Sequence, residues 1–74
     1  MPGVVVTGRV FFEPARATEA FRTHLGVGRA EAESLTDALR AGHEVRVHAE
    51  TAEAAGALSI ALRDAGADAE PVAE

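Results

Sequence analysis

The sequence predicts a small α+β domain, and three observations carry that expectation. "VVVTGRVFF" (4–12) is dense in Val and Phe, and "HEVRVHAE" (43–50) alternates apolar and polar residues; both read as strands. Three Ala-rich stretches show helical spacing, with turn residues at their ends. The resulting order is strand, helix, helix, strand, helix, strand. With 74 residues, this makes one domain over 1–74. The expected architecture is a three-stranded antiparallel sheet with three helices packed on one face.

In the first strand, Val4, Val6, Val10 and Phe12 share one face, and Val5, Thr7, Arg9 and Phe11 the other. Gly8 in its middle marks a bulge or a close backbone approach. Pro14 suits the first turn of the next helix, where its missing N–H is not needed. Ala17, Phe21 and Leu25 then recur at spacing four. The second helix, "RAEAESLTDALRAG", places Ala32, Leu35 and Leu39 on one face, with Gly42 at a left-handed end position.

In the second strand, Val45, Val47 and Ala49 point one way with His43, and Glu44, Arg46 and His48 point the other. Thr51 caps a third helix whose buried stripe is Ala54, Leu58, Ala61, Leu62 and Ala65, ended by Gly66. "ADAEPV" (67–72) is the last strand, and Pro71 confines it to an edge or a strand end.

Composition narrows the function classes. No Cys is present, so disulfides and thiolate metal sites are excluded. A small fold without such staples fits a cytoplasmic setting. No apolar run approaches the roughly 20 residues of a membrane span. The net charge is −5, and the seven basic residues are all Arg, scattered along the chain. Nucleic acid calls for a concentrated basic face instead.

The closely spaced pair Gly26 and Gly28 in "HLGVGRAEAESL" (24–35) could open a phosphate loop. A dinucleotide fingerprint needs a preceding strand and a third Gly, but here a helix precedes and Glu31 stands at the third position. A Walker loop needs Lys, which the chain lacks. The pair therefore reads as a corner: Gly26 stops one helix, Gly28 starts the next, and Val27 packs between them.

Nor do the residues gather into chemistry. His43 and His48 point to opposite strand faces, and His24 is out of helical register with Glu19 and Glu31. No metal or cofactor is expected. Ser34 and Ser59 lie inside helices, away from the sharp elbow a nucleophile needs. Glu50 and Glu53 suit the N-terminal end of the third helix.

"GVGRAEAESL" and "TAEAAGALSIALRDAGADAEPV" resemble the C-terminal domain of the ribosomal stalk protein, and the layout resembles that of ClpS, a protease adaptor. The resemblance spans residues 4–73 and implies the strand–helix–helix–strand–helix–strand fold and a module that binds other proteins. The families' specific binding residues are largely absent. Ala30 and Glu33 stand where the stalk family carries Lys, and Arg29 where it carries Leu. "FFEPAR" has Glu13 as the single acid where ClpS carries Asn-Asp-Asp, and no His falls within 38–41.

These readings lead to a small non-enzymatic binding or adaptor module. The alternative is a small enzyme or ligand-binding accessory subunit. The partner is another protein or a second copy, met at one of two surfaces. The first is the open sheet face, with Val5, Arg9 and Phe11. The second is the turn, with Val27 and Arg29.

Overall fold

The computed structural model describes residues 2–8 and 12–72. The elements are β1 (Gly3–Thr7), α1 (Pro14–Leu25), α2 (Arg29–Arg40), β2 (Val45–His48), α3 (Ala52–Asp64) and β3 (Asp68–Val72). The fold is α+β, with an antiparallel sheet in the order β2-β1-β3. The first strand in sequence is therefore the central one. It pairs Val4 with Val47 and Val6 with Val45 on one side. On the other it pairs Val5 with Glu70 and Val6 with Ala69.

Alternation decides which face is covered. Val4 and Val6 are fully buried, and Val45, Val47 and Ala69 beside them are buried, while Arg46, His48, Asp68 and Glu70 are exposed. The buried face receives the helices: α3 packs on β1 and β3, α2 on β2, and α1 on both α2 and α3. The core is completed by Phe21, Leu39, Leu58 and Leu62 and by many alanines. Alanine buries little area but lets helix axes approach closely, so Phe21, Leu58 and Leu62, all fully buried, fill the centre of a domain this small.

Helix ends follow from local chemistry. Gly26 closes α1 in the left-handed conformation (φ 70°), its N–H donating to the Arg22 carbonyl at 3.1 Å. Gly28 is the N-cap of α2 in extended backbone (φ −71°, ψ 167°), and Val27 packs half-buried between the two helices and the core. Gly42 (φ 88°) and Gly66 (φ 92°) follow α2 and α3. The Thr51 hydroxyl accepts from the Ala54 N–H at 3.0 Å, a cap that contributes about 1 kcal/mol.

Three details depart from expectation. The first strand ends at Thr7 instead of reaching position 12; Phe12 is half-buried in irregular backbone, and Arg9, Val10 and Phe11 lie outside the described residues. The close backbone approach expected at Gly8 is present. A Cβ built there would lie 2.5 Å from the Leu39 carbonyl oxygen, so the chain passes directly against the end of α2. The buried stripe of α3 is also rotated. Ala55 and Ser59 are buried, whereas Ala54 and Ala61 are half-buried, because α3 meets α1 as well as the sheet. The Ser59 hydroxyl tolerates burial by donating to the Ala55 carbonyl at 2.9 Å. Finally, Thr36 is buried on α2, within 2.7 Å of the Thr18 hydroxyl of α1.

Those two hydroxyls are also 3.0 Å from the carbonyls of Ala32 and Pro14, respectively. Two protons serve three contacts. One threonine therefore donates across the interface while the other donates to its own helix.

Two glycine substitutions have opposite expected signs. Gly8→Ala forces backbone apart at a packed junction and should destabilise the domain by about 1–3 kcal/mol in chemical denaturation. Gly56 sits inside α3, and a Cβ there meets nothing within 4 Å. Gly56→Ala should stabilise by about 0.5–1 kcal/mol on the same measurement.

Candidate functional site

The sheet has two edges, and pairing geometry shows what each presents. In an antiparallel pair, residues alternate between exchanging main-chain hydrogen bonds and not exchanging them. The Ala49 N–H donates to the Pro2 carbonyl at 2.8 Å, in line with the β1–β2 register. Stepping by two along that register makes Val4–Val47 and Val6–Val45 the bonded pairs. The main-chain groups of Arg46 and His48 therefore point away from β1, toward the outer edge of β2. Since Val4 and Val6 bond to β2, the bonds of Gly3, Val5 and Thr7 go to β3, pairing with Val72, Glu70 and Asp68. Ala69 and Pro71 are then the outward-pointing residues of β3.

The β3 edge is closed. The outward carbonyl of Ala69 accepts a hydrogen bond from Arg63 Nε of α3 at 2.9 Å. Pro71, the next outward residue, has no N–H to offer. Both are established means of blunting a sheet edge. A groove of about 500 Å³ runs past this closed edge onto the open face, lined by Val5, Thr7, Arg63, Asp68, Ala69 and Glu70.

Among the described residues, no proline and no side-chain donor of this kind stands at Arg46 on the β2 edge. Its one outward residue inside the strand, away from the termini, is Arg46, whose side chain is 65% exposed on the open sheet face. Its carboxylate neighbour, Glu44, is 3.9 Å away and itself exposed, which makes a weak ion pair. Val45 and Val47 alternate with Arg46 and face the helices.

The residues singled out from sequence are spread over the molecule. Val5 lies half-buried on the open sheet face, in one cross-strand row with Arg46 and Glu70. Arg9 and Phe11, assigned to the same surface, fall outside the described residues. Among the described residues this face is polar apart from Val5 and the half-buried Val72. Val27 is part of the helix corner, and Arg29 is exposed, with Nε 3.3 Å from Glu33 of its own helix. The structure thus places Val5 on the central strand, between Arg46 of β2 and Glu70 of β3, on the sheet face away from the helix corner.

Other chemistry-bearing groups do not converge. Among the described residues, no set of three His, Asp or Glu side chains is placed to hold a metal ion. Ser34 is exposed on α2, and the Ser59 hydroxyl is committed within α3. No helix among the described residues is long and apolar enough to cross a membrane. Among the described residues, the large apolar side chain most exposed to solvent is Ile60 on α3, at 60%. Spacing alone could have flagged it, since it lies opposite the Leu58–Leu62 stripe.

Set against known proteins, the chain matches no family model, no curated protein and no solved structure.

The closed edge yields a prediction. Arg63→Ala removes the donor to Ala69 and should cost about 1 kcal/mol of stability. It should also raise concentration-dependent association, measured by sedimentation velocity, relative to the parent domain.

Proposed function

We propose that this chain is a small non-enzymatic protein-binding module that takes an extended segment of its partner onto the outer edge of β2. The observation that carries this reading is the contrast between the two edges. Arg63 and Pro71 close β3, while the main-chain N–H and C=O of Arg46 point outward from β2 with no such device beside them among the described residues. A strand added there gains main-chain hydrogen bonds and extends the sheet without moving any element, a common mode of peptide recognition.

The resemblance to the stalk and ClpS families supports the same class of role, since both are modules that act by binding other proteins. Val5 shares a row with Arg46 but lies one strand inward from the proposed surface, on central β1. The corner residues Val27 and Arg29 do not belong to it: Val27 packs on the core, and Arg29 has an acidic partner on its own helix.

Arg46→Pro tests the reading with little cost to the fold. The substitution removes an N–H that points outward, leaving the bonds of Val45 and Val47 to β1 in place. A partner captured from the native host by the parent domain should be lost by this variant, and the Arg46 amide of the parent should gain protection from hydrogen exchange in the complex. Equal capture by both proteins, with an unprotected Arg46 amide, would defeat strand addition at β2.

A further inference from the structure

Resting on that reading, we infer that the segment taken by β2 is acidic, with Asp or Glu alternating with small or branched apolar residues. The pleat sets the pattern. An antiparallel strand paired with β2 places the residue opposite Arg46 on the open sheet face and the residue opposite Val47 on the helix-covered face. Opposite side chains have Cβ atoms about 4.5–5.5 Å apart, close enough for a carboxylate to meet the Arg46 guanidinium. Glu44 at 3.9 Å satisfies that guanidinium poorly. On the other face, Val45 and Val47 form the rim of the core, with 6% and 8% of their surfaces still exposed. An apolar residue opposite them covers that rim; a charged one would be desolvated against it.

A second copy of this chain is the natural competitor, and charge argues against it. Two β2 edges meeting about a two-fold axis, with helices on the same side, keep most of the strand paired when Arg46 stands opposite Arg46 or His48 of the other copy; only a shift that runs past the start of β2 sets it opposite Glu44. Neither of the first two supplies a carboxylate, and in the Arg46–Arg46 register like charges directly opposite one another destabilise the pair of strands. The closed β3 edge of another copy is unsuitable for a different reason, the Arg63 and Pro71 devices.

The chain carries net charge −5, which opposes the approach of an acidic segment from a distance. Salt screens that field within about 8–10 Å at physiological ionic strength, whereas the Arg46 contact is direct. Within this module, β3 itself shows the kind of segment meant: Asp68-Ala69-Glu70 alternates acid and small residue along an extended strand.

The test uses two synthetic twelve-residue peptides, one with a central Glu-Val-Glu-Thr-Glu and one with Lys-Val-Lys-Thr-Lys, titrated into the whole domain while amide shifts are followed. The acidic peptide should move the Arg46 amide and its neighbours and bind several-fold more tightly than the basic one. Arg46→Glu should reverse the preference, and Arg46→Pro should lose both peptides. A parent domain that binds neither peptide, or prefers the basic one, overturns the acidic assignment. An Arg46→Glu preference unchanged from the parent, with binding lost in Arg46→Pro, overturns the acidic assignment alone and leaves strand addition standing. Undiminished binding to a folded Arg46→Pro overturns strand addition as well. If that variant does not fold, shifts in the parent that bypass β2 overturn strand addition in its place. Concentration-dependent shifts at Arg46 without any peptide would overturn the assignment in favour of a second copy.

Discussion

The central position of β1 governs the molecule. Five residues donate and accept alternately to left and right, and each bond given to β2 is one that cannot go to β3. That parity fixes which side chains are buried, since Val4 and Val6 must face the helices together. It also fixes which main-chain groups face out at each edge. Whether an edge is open or closed is then a matter of what stands beside those groups. On one side that neighbour is Arg63; on the other there is an exposed Arg46.

Close approach is the second requirement, and it explains the composition. A core built around Phe21, Leu58 and Leu62 can be compact because Ala17, Ala20, Ala32, Ala55 and Ala65 hold the helices near one another and near the sheet. Gly8 applies the same logic to backbone, letting the exit of β1 pass the last turn of α2 where no side chain fits. The paired hydroxyls of Thr18 and Thr36 are a polar contact at such an interface. They are tolerated because helix carbonyls within reach accept what the pair itself cannot satisfy.

Much of this architecture was legible in the sequence. The caps at Gly26, Gly42, Thr51 and Gly66 and the alternation in Val45–Ala49 follow from local rules, and those rules acted here without competition. The close approach at Gly8 was legible as one of two options, although not its partner. Two features were hidden for a physical reason. The rotation of the α3 stripe toward Ala55 and Ser59 depends on α1 lying against it, which periodicity within one helix cannot reveal. The identity of the central strand depends on pairing, so an outward-facing Arg46 could not be distinguished from any other exposed Arg in an alternating strand. Val5 lies on the open face, and the apolar surface expected around it rested on positions 9 and 11, which lie outside the described residues.

Arg63 and Pro71 bear on stoichiometry. A sheet with two accessible sides is divalent: each subunit accepts a neighbour and offers itself to the next, and such head-to-tail contacts propagate into fibres unless rotation closes a ring. With β3 closed, a strand docked at β2 by the proposed route would extend the sheet on that side alone, and this domain would offer no second edge from which a head-to-tail chain could grow.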